Sequence, residues 1–391
     1  MQAMHGFAVS VRKRGRVAGC CAVLALALAA MVIAPSGASA AAEKTTTYLA
    51  LGDSISFGFT AEKFAIHSPN EAPSYFEEGF TDYFTKTYLK KSTEVGSSIR
   101  LVDDGCPGET SNGLIGENEA IGGMKSTEGP GGIQGPGDWH PCRYHFVSGL
   151  PLHNSLGTLS QLEDALVVLG KEDTRVITVQ AGSNDELAGV EECKKEIKEE
   201  FESKFYSEQP NSKSAPGDPE DGTKFFVLNG NPTHDKQVQY EAFVACAGGK
   251  SQYVTFPRII ENINKIVNVI DSTGYSKPIV VQGYYNPDAF VLPGSDTLQE
   301  ILNFQLKKSL EESALPNLHW MNPMPKFNHR PGTEKQEKEA VKKYTEMCNP
   351  NVQKTETGFD PGCEGDIHPS LTGYKQMAKE ANVAYLGPAL P

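Results

Sequence analysis

Residues 45–57 read TTTYLALGDSISF, and the reading of this stretch decides the fold. The run 45–51 is short, β-branched or apolar almost throughout, and stops at Gly52. Such a run is the pattern of a strand buried on both faces, as in a parallel sheet. Asp53 and Ser54 follow directly. A serine on a tight turn at a strand's carboxyl end can present its hydroxyl to a pocket, while the next helix points N–H groups at the same place. Taken alone, the triplet reads more simply as a helix N-cap, with Asp53 or Ser54 accepting backbone N–H bonds. Its context argues for more.

Four further runs repeat the strand pattern, at 99–102, 176–179, 279–281 and 318–321. Between them, helices are expected over 72–90, 159–169 with Ser160 as cap, 257–270 with Pro257 in its first turn, 297–310 and 371–385. Strands alternating with helices imply a parallel sheet covered on both sides, with ligands outside the carboxyl ends of the strands. Two stretches break the pattern. Residues 110–157 are rich in Gly, Pro and Ser, and 186–251 opens on a charged run, 191–202, before turning Pro- and Gly-rich. The charged run reads as a solvated helix face, and the long segments as lids or disulfide-tied excursions.

The strand ends carry polar blocks. The second run leads into DGCPGET (104–110), where Gly108 lets the backbone approach a substrate oxygen and offer its N–H. The third leads into GSND (182–185), where Asn184 can aim an amide at the same point. DIHP (366–369) precedes the last helix. With YLALGDS (48–54), GCPGET (105–110), GSND and DIHP in this order, the chain resembles the SGNH (GDSL) hydrolases over nearly everything after residue 40, the insertions least. It is most similar to exported actinobacterial-type lipases and esterases. The resemblance implies a flavodoxin-like three-layer α/β/α sandwich around a five-stranded parallel sheet, with Ser54, Gly108, Asn184 and His368 as working residues and about three disulfides.

The chemistry fits those residue types independently of the family. Serine is a poor nucleophile unless a base takes its proton, and His368 can do so near neutral pH. The N–H groups of Ser54 and Gly108 and the amide of Asn184 would hold the oxyanion. The resemblance places an orienting Asp three residues before the His, but Gly365 stands there and Asp366 is only two before. Asp366, the Gly365 carbonyl and Glu364 remain open as the group that orients His368. Asp53 and Asp185 are expected to brace the nucleophile turn and Asn184 by hydrogen bonds.

Composition bounds the rest. Arg12, Lys13, Arg14 and Arg16, an apolar run over 17–34 and the small-x-small triplet ending at Ala40 read as a signal peptide, 1–40. A hydrolase domain is expected over 41–391, with insertions at about 110–157 and 186–251. Losing four basic residues takes the formal charge from −13 to −17. This disfavours nucleic acid and anionic membranes as partners. Six cysteines remain, and sequential pairing is expected: Cys106 with Cys142, Cys193 with Cys246, Cys348 with Cys363. No metal or cofactor is called for; His140 and His145 beside Cys142 read as loop residues, and Trp139 and Tyr144 as loop anchors or acyl-pocket walls. The expectation is therefore a secreted, monomeric, cofactor-independent serine ester hydrolase acting on a lipid or short-chain acyl ester, with no stable membrane insertion after signal removal. A carbohydrate acetyl esterase, an acyltransferase and a non-catalytic binding protein on the same fold are the alternatives.

Overall fold

The computed structural model describes residues 44–68, 70–92, 97–116, 150–157, 159–208, 232–289, 295–351 and 365–391. Strands β1 (Lys44–Gly52), β2 (Ser97–Asp103), β3 (Thr174–Gln180), β4 (Ile279–Gln282) and β5 (Leu318–Met321) form one all-parallel sheet in the order β2-β1-β3-β4-β5. This is the flavodoxin-like order, reversing direction on either side of β1. A two-stranded antiparallel ribbon, β6 (Thr345–Glu346) with β7 (Asp366–Pro369), stands beside it. The described helices are α1 (Ser54–Phe57), α2 (Ala61–His67), α3 (Phe80–Tyr83), α4 (Ser111–Ile115), α5 (Gln161–Lys171), α6 (Ser183–Glu208), α7 (Pro232–Lys250), α8 (Phe256–Ser272), α9 (Ser295–Glu312), α10 (Met324–Phe327), α11 (Glu334–Tyr344) and α12 (Leu371–Leu386).

Parity along the strands sorts the core into two layers. Leu49, Leu51, Ile177, Val179, Ile279 and Val281 point to one side, against α5, α8 and α9. Tyr48, Ala50, Val176 and Val280 point to the other, against Phe80 and Phe84 and the α12 residues Tyr374, Met377, Ala378 and Ala381. Both faces are covered, so the strands read as continuous apolar runs rather than alternating ones.

Four of the five expected helices form within two residues of the expected bounds. Ser160 caps α5 in a full capping box, its hydroxyl accepting from Glu163 while the Glu163 carboxylate accepts from the Ser160 N–H. The stretch 72–90 departs from expectation. It is a 3₁₀ turn (Pro73–Phe76), then α3, then a π-helical turn (Phe84–Leu89). The break falls at Gly79, whose Cβ, if it had one, would lie 2.9 Å from Gly58 Cα and 3.1 Å from Ser56 O. The chain gives up helix there to let its backbone close on α1.

The described parts of the segment 186–251 are helical, on either side of its Pro- and Gly-rich stretch, which lies outside the described residues. Its charged run lies on α6, which is stapled to α7 by a Cys193–Cys246 disulfide with Cα atoms 5.8 Å apart. Cys193, Ile197 and Phe243 form a small core of their own under this staple. So narrow an apolar stripe is hidden in sequence by the charges around it. Cys106 and Cys348 are also disulfide-bonded; Cys142 and Cys363 lie outside the described residues, as do the expected signal peptide 1–40, Trp139, His140, Tyr144 and His145. No described helix is long and apolar enough to cross a membrane.

Candidate active site

β1 delivers Ser54 to the carboxyl edge of the sheet as the first residue of α1. Asp53 is the N-cap, and its Oδ1 accepts from the Ile55 N–H at 2.8 Å. The cap reading of the triplet therefore holds for Asp53, and Ser54 follows it as the first helical residue. Ser54 is 8% exposed.

The ribbon β6–β7 brings His368 to this point from the far end of the chain. Its Nε2 lies 2.7 Å from Ser54 Oγ. On the other side of the ring, Nδ1 donates to Asp366 Oδ1. Asp366 Oδ1 also accepts from the His368 N–H at 3.2 Å, and Oδ2 from the Ala61 N–H of α2 at 2.6 Å. Burial pushes the Asp366 carboxyl up, but the His368 charge and the bonds from His368 and Ala61 outweigh it, and the group lies below the ordinary carboxylate range. The shorter spacing therefore still brings a carboxylate to Nδ1. The Gly365 N–H is bonded to Met347 O at 2.7 Å, and Glu364 lies outside the described residues.

The remaining blocks converge from neighbouring strands. After β2, Cys106, Pro107, Gly108 and Glu109 form a tight turn closed by Glu109 N–H to Cys106 O at 3.1 Å. Gly108 occupies its third position at φ 81°, the left-handed conformation a type II turn needs there. The Cys106 N–H donates to Gly52 O at 3.0 Å, pinning this loop to the nucleophile turn. After β3, Asn184 lies in the first turn of α6, and its Nδ2 donates to Glu109 O at 2.9 Å. One of its two amide hydrogens thus ties α6 to the Gly108 loop. Asp185 is fully buried and takes the Ser111 N–H and hydroxyl at 2.8 Å each, with the Arg258 guanidinium at 3.4 Å. It braces α4, which begins just beyond the Gly108 loop.

Several supports carry no sequence motif. Two tyrosines hold backbone around His368: Tyr285 donates to O of the preceding Ile367 at 2.8 Å, and Tyr374 to O of Phe59 at 2.7 Å. The Phe59 ring leans on the imidazole, 4.9 Å between centroids. Two buried glutamines, Gln161 and Gln180, bond to Gly52 and Asp53. Gln180 had one available signal, since it is the single amide in the apolar run that becomes β3.

As chemistry, the arrangement is a hydroxyl hydrogen-bonded to an imidazole, the imidazole bonded to a carboxylate, and an amide and a glycine turn at the same sheet edge. The only cluster of possible metal ligands among the described residues is Cys193, Glu196 and Cys246, and its two sulfurs are joined to each other.

No protein-family model matches the chain. No curated protein matches it in sequence. Among solved structures, it is similar to the lipase Lip_vut3 from a goat rumen metagenome at 13% identity and TM-score 0.37, over 88% of this chain and 98% of that one. It is similar to an extracellular lipase from Streptomyces rimosus at 13% identity and TM-score 0.38, over 86% and 99%. A third likeness, to phospholipase A1 from Streptomyces albidoflavus NA297, has 11% identity and TM-score 0.36, over 86% and 99%.

Proposed function

We propose that the chain is an exported serine ester hydrolase of the SGNH (GDSL) type, acting on a lipid or short-chain acyl ester through an acyl-enzyme on Ser54. The observation that carries the proposal is the hydrogen-bonded series Ser54–His368–Asp366, assembled from residues more than 300 positions apart. In this reading His368 Nε2 takes the Ser54 proton as Oγ attacks the carbonyl carbon. Asp366 holds the ring in the tautomer whose Nε2 is free to accept. The oxyanion is received by the Ser54 and Gly108 N–H groups and by the second amide hydrogen of Asn184. The imidazolium then protonates the leaving alcohol. Water, deprotonated by the same ring, cleaves the acyl-enzyme and restores Ser54.

Hydrolysis of a nitrophenyl ester series, acetyl to palmitoyl, beside the Ser54→Ala variant tests this. Turnover that falls to background in the variant supports the reading, and the chain-length profile separates esterase from lipase. A wild type as silent as the variant, and unlabelled by a fluorophosphonate, overturns it.

A further inference from the structure

The two residues before Ser54 are each held by a buried glutamine at two points. Gln161, at the start of α5, accepts from the Gly52 N–H and donates to the Gly52 carbonyl, both at 2.8 Å. Gln180, at the end of β3, accepts from the Asp53 N–H at 3.2 Å and donates to Asp53 Oδ2 at 2.8 Å. All three of Gln161, Gln180 and Asp53 are essentially without solvent contact. The Asp53 carbonyl is occupied too, accepting from the Phe57 N–H at 3.1 Å. Every polar atom of Asp53 is therefore engaged, and the peptide that follows it carries the Ser54 N–H.

We propose that Gln180 is a positioning residue for the nucleophile: through Asp53 it fixes the peptide bearing the Ser54 N–H and holds a second carboxylate behind the Ser54–His368 pair. This rests on the ester-hydrolase reading and deepens it. The donors set the protonation state. Gln180 Oε1 is committed to the Asp53 N–H, so its Nε2 must face the Asp53 carboxyl, and the Ile55 N–H faces the other oxygen. Both of these groups are donors only, so they favour the ionised form of Asp53. Burial pushes Asp53 up to about 6, against the pull of these bonds, of His368 and of Ser183. The group is ionised at neutral pH. The other titratable groups facing it are Tyr284 and Tyr285 beyond β4 and Tyr374 on α12, all raised by burial and so neutral. The positive charge that Asp53 meets is the imidazolium formed when His368 takes the Ser54 proton.

A carboxyl at 180 provides the test. Protonated, it offers the same acceptor and donor as the amide; ionised, it turns a lone pair on Asp53 and repels it. The expected result for Gln180→Glu is fluorophosphonate labelling near the wild-type rate at about pH 5.5, falling about a hundredfold behind wild type by about pH 8.5. In the double variant Asp53→Asn with Gln180→Glu, the new carboxylate accepts both the backbone N–H and the new amide at 53. Labelling at the alkaline end then recovers to within about tenfold of wild type. A Gln180→Glu profile parallel to wild type, or a double variant no faster than Gln180→Glu at about pH 8.5, overturns the proposal. Near-UV circular dichroism at both pH values identifies a variant that has unfolded, and the double variant, with every bond satisfied, still decides the case. Wild type and Ser54→Ala run alongside: if the wild type does not label, it is the ester-hydrolase reading that has failed.

Discussion

Replacing Asp366 by Asn tests the site where the sequence left it open. The carboxylate takes three donors: His368 Nδ1 and the His368 N–H on Oδ1, and the Ala61 N–H on Oδ2 at 2.6 Å. An amide cannot accept from all of them. With its oxygen toward His368, the NH₂ meets the Ala61 N–H at the short 2.6 Å contact. Turned over, it meets the His368 backbone N–H at the longer 3.2 Å, and Nδ1 can relieve the remaining conflict by shedding its proton. The second arrangement costs less, and it moves the imidazole proton to Nε2, toward Ser54 Oγ. The base then arrives already protonated. In serine hydrolase triads this tautomer exchange costs ~10⁴ in kcat with the geometry preserved. At about 1.4 kcal/mol per factor of ten, that is about 5.5 kcal/mol of transition-state stabilisation. Asp366 lies below the ordinary carboxylate range, so its support is present above the ordinary value and is lost as pH falls through the lowered one. The loss in Asp366→Asn should therefore be nearly constant across neutral and alkaline pH. The assay is kcat/KM on the best nitrophenyl ester, with KM reported separately and folding checked by circular dichroism. A variant within about tenfold of wild type would refute the argument and return the orienting role to the Gly365 carbonyl.

Asn184→Ala should lower kcat by ~10²–10³ with little change in KM, because the lost donor serves the transition state rather than the substrate. Gly108→Ala, forced to φ 81°, should cost about 1–2 kcal/mol of stability, read as a lower Tm, and reduce turnover by flattening the turn that offers the N–H. Removing the Cys193–Cys246 bridge by a double alanine substitution should cost up to about 4 kcal/mol, from the 53-residue separation it closes, while Ser54 labelling persists. Denaturant titration checks it. Asp103 is pushed up to about 6 by burial, so its folded form keeps a proton that the unfolded chain releases near 3.8, and its contribution to stability falls as pH rises from about 4 to about 6. Asp103→Asn can still accept from the Gly105 N–H and can donate to Thr81 Oγ1, and it should flatten that part of the stability profile seen by thermal melts against pH.

The parts of the molecule that could be read in advance are those where one residue type has one use. β1 to β5 were legible because a sheet covered on both faces admits apolar residues at both parities, as Leu49 and Ala50 illustrate on opposite sides. Gly108 stood out because glycine at a strand end suits a left-handed turn, which it makes at φ 81°, and Asn184 because a side-chain amide there can aim a donor. Glutamines have many. Gln161 opens a helix, Gln180 closes a strand, and in each case the sequence neighbours are unremarkable; what matters is that folding sets them against Gly52 and Asp53, over a hundred positions away. The same holds for the Ala61 N–H, which any residue but proline could supply and which nonetheless decides how an amide at 366 must lie. α6 and α7 were obscured for a different reason. Among the described residues their fully buried shared core is Cys193, Ile197 and Phe243, which does not impose a clear period on so charged a stretch, and the disulfide joins the two helices there. The proposed nucleophile, base and oxyanion donors are therefore written in residue type, whereas the groups that hold them in place are written only in distance.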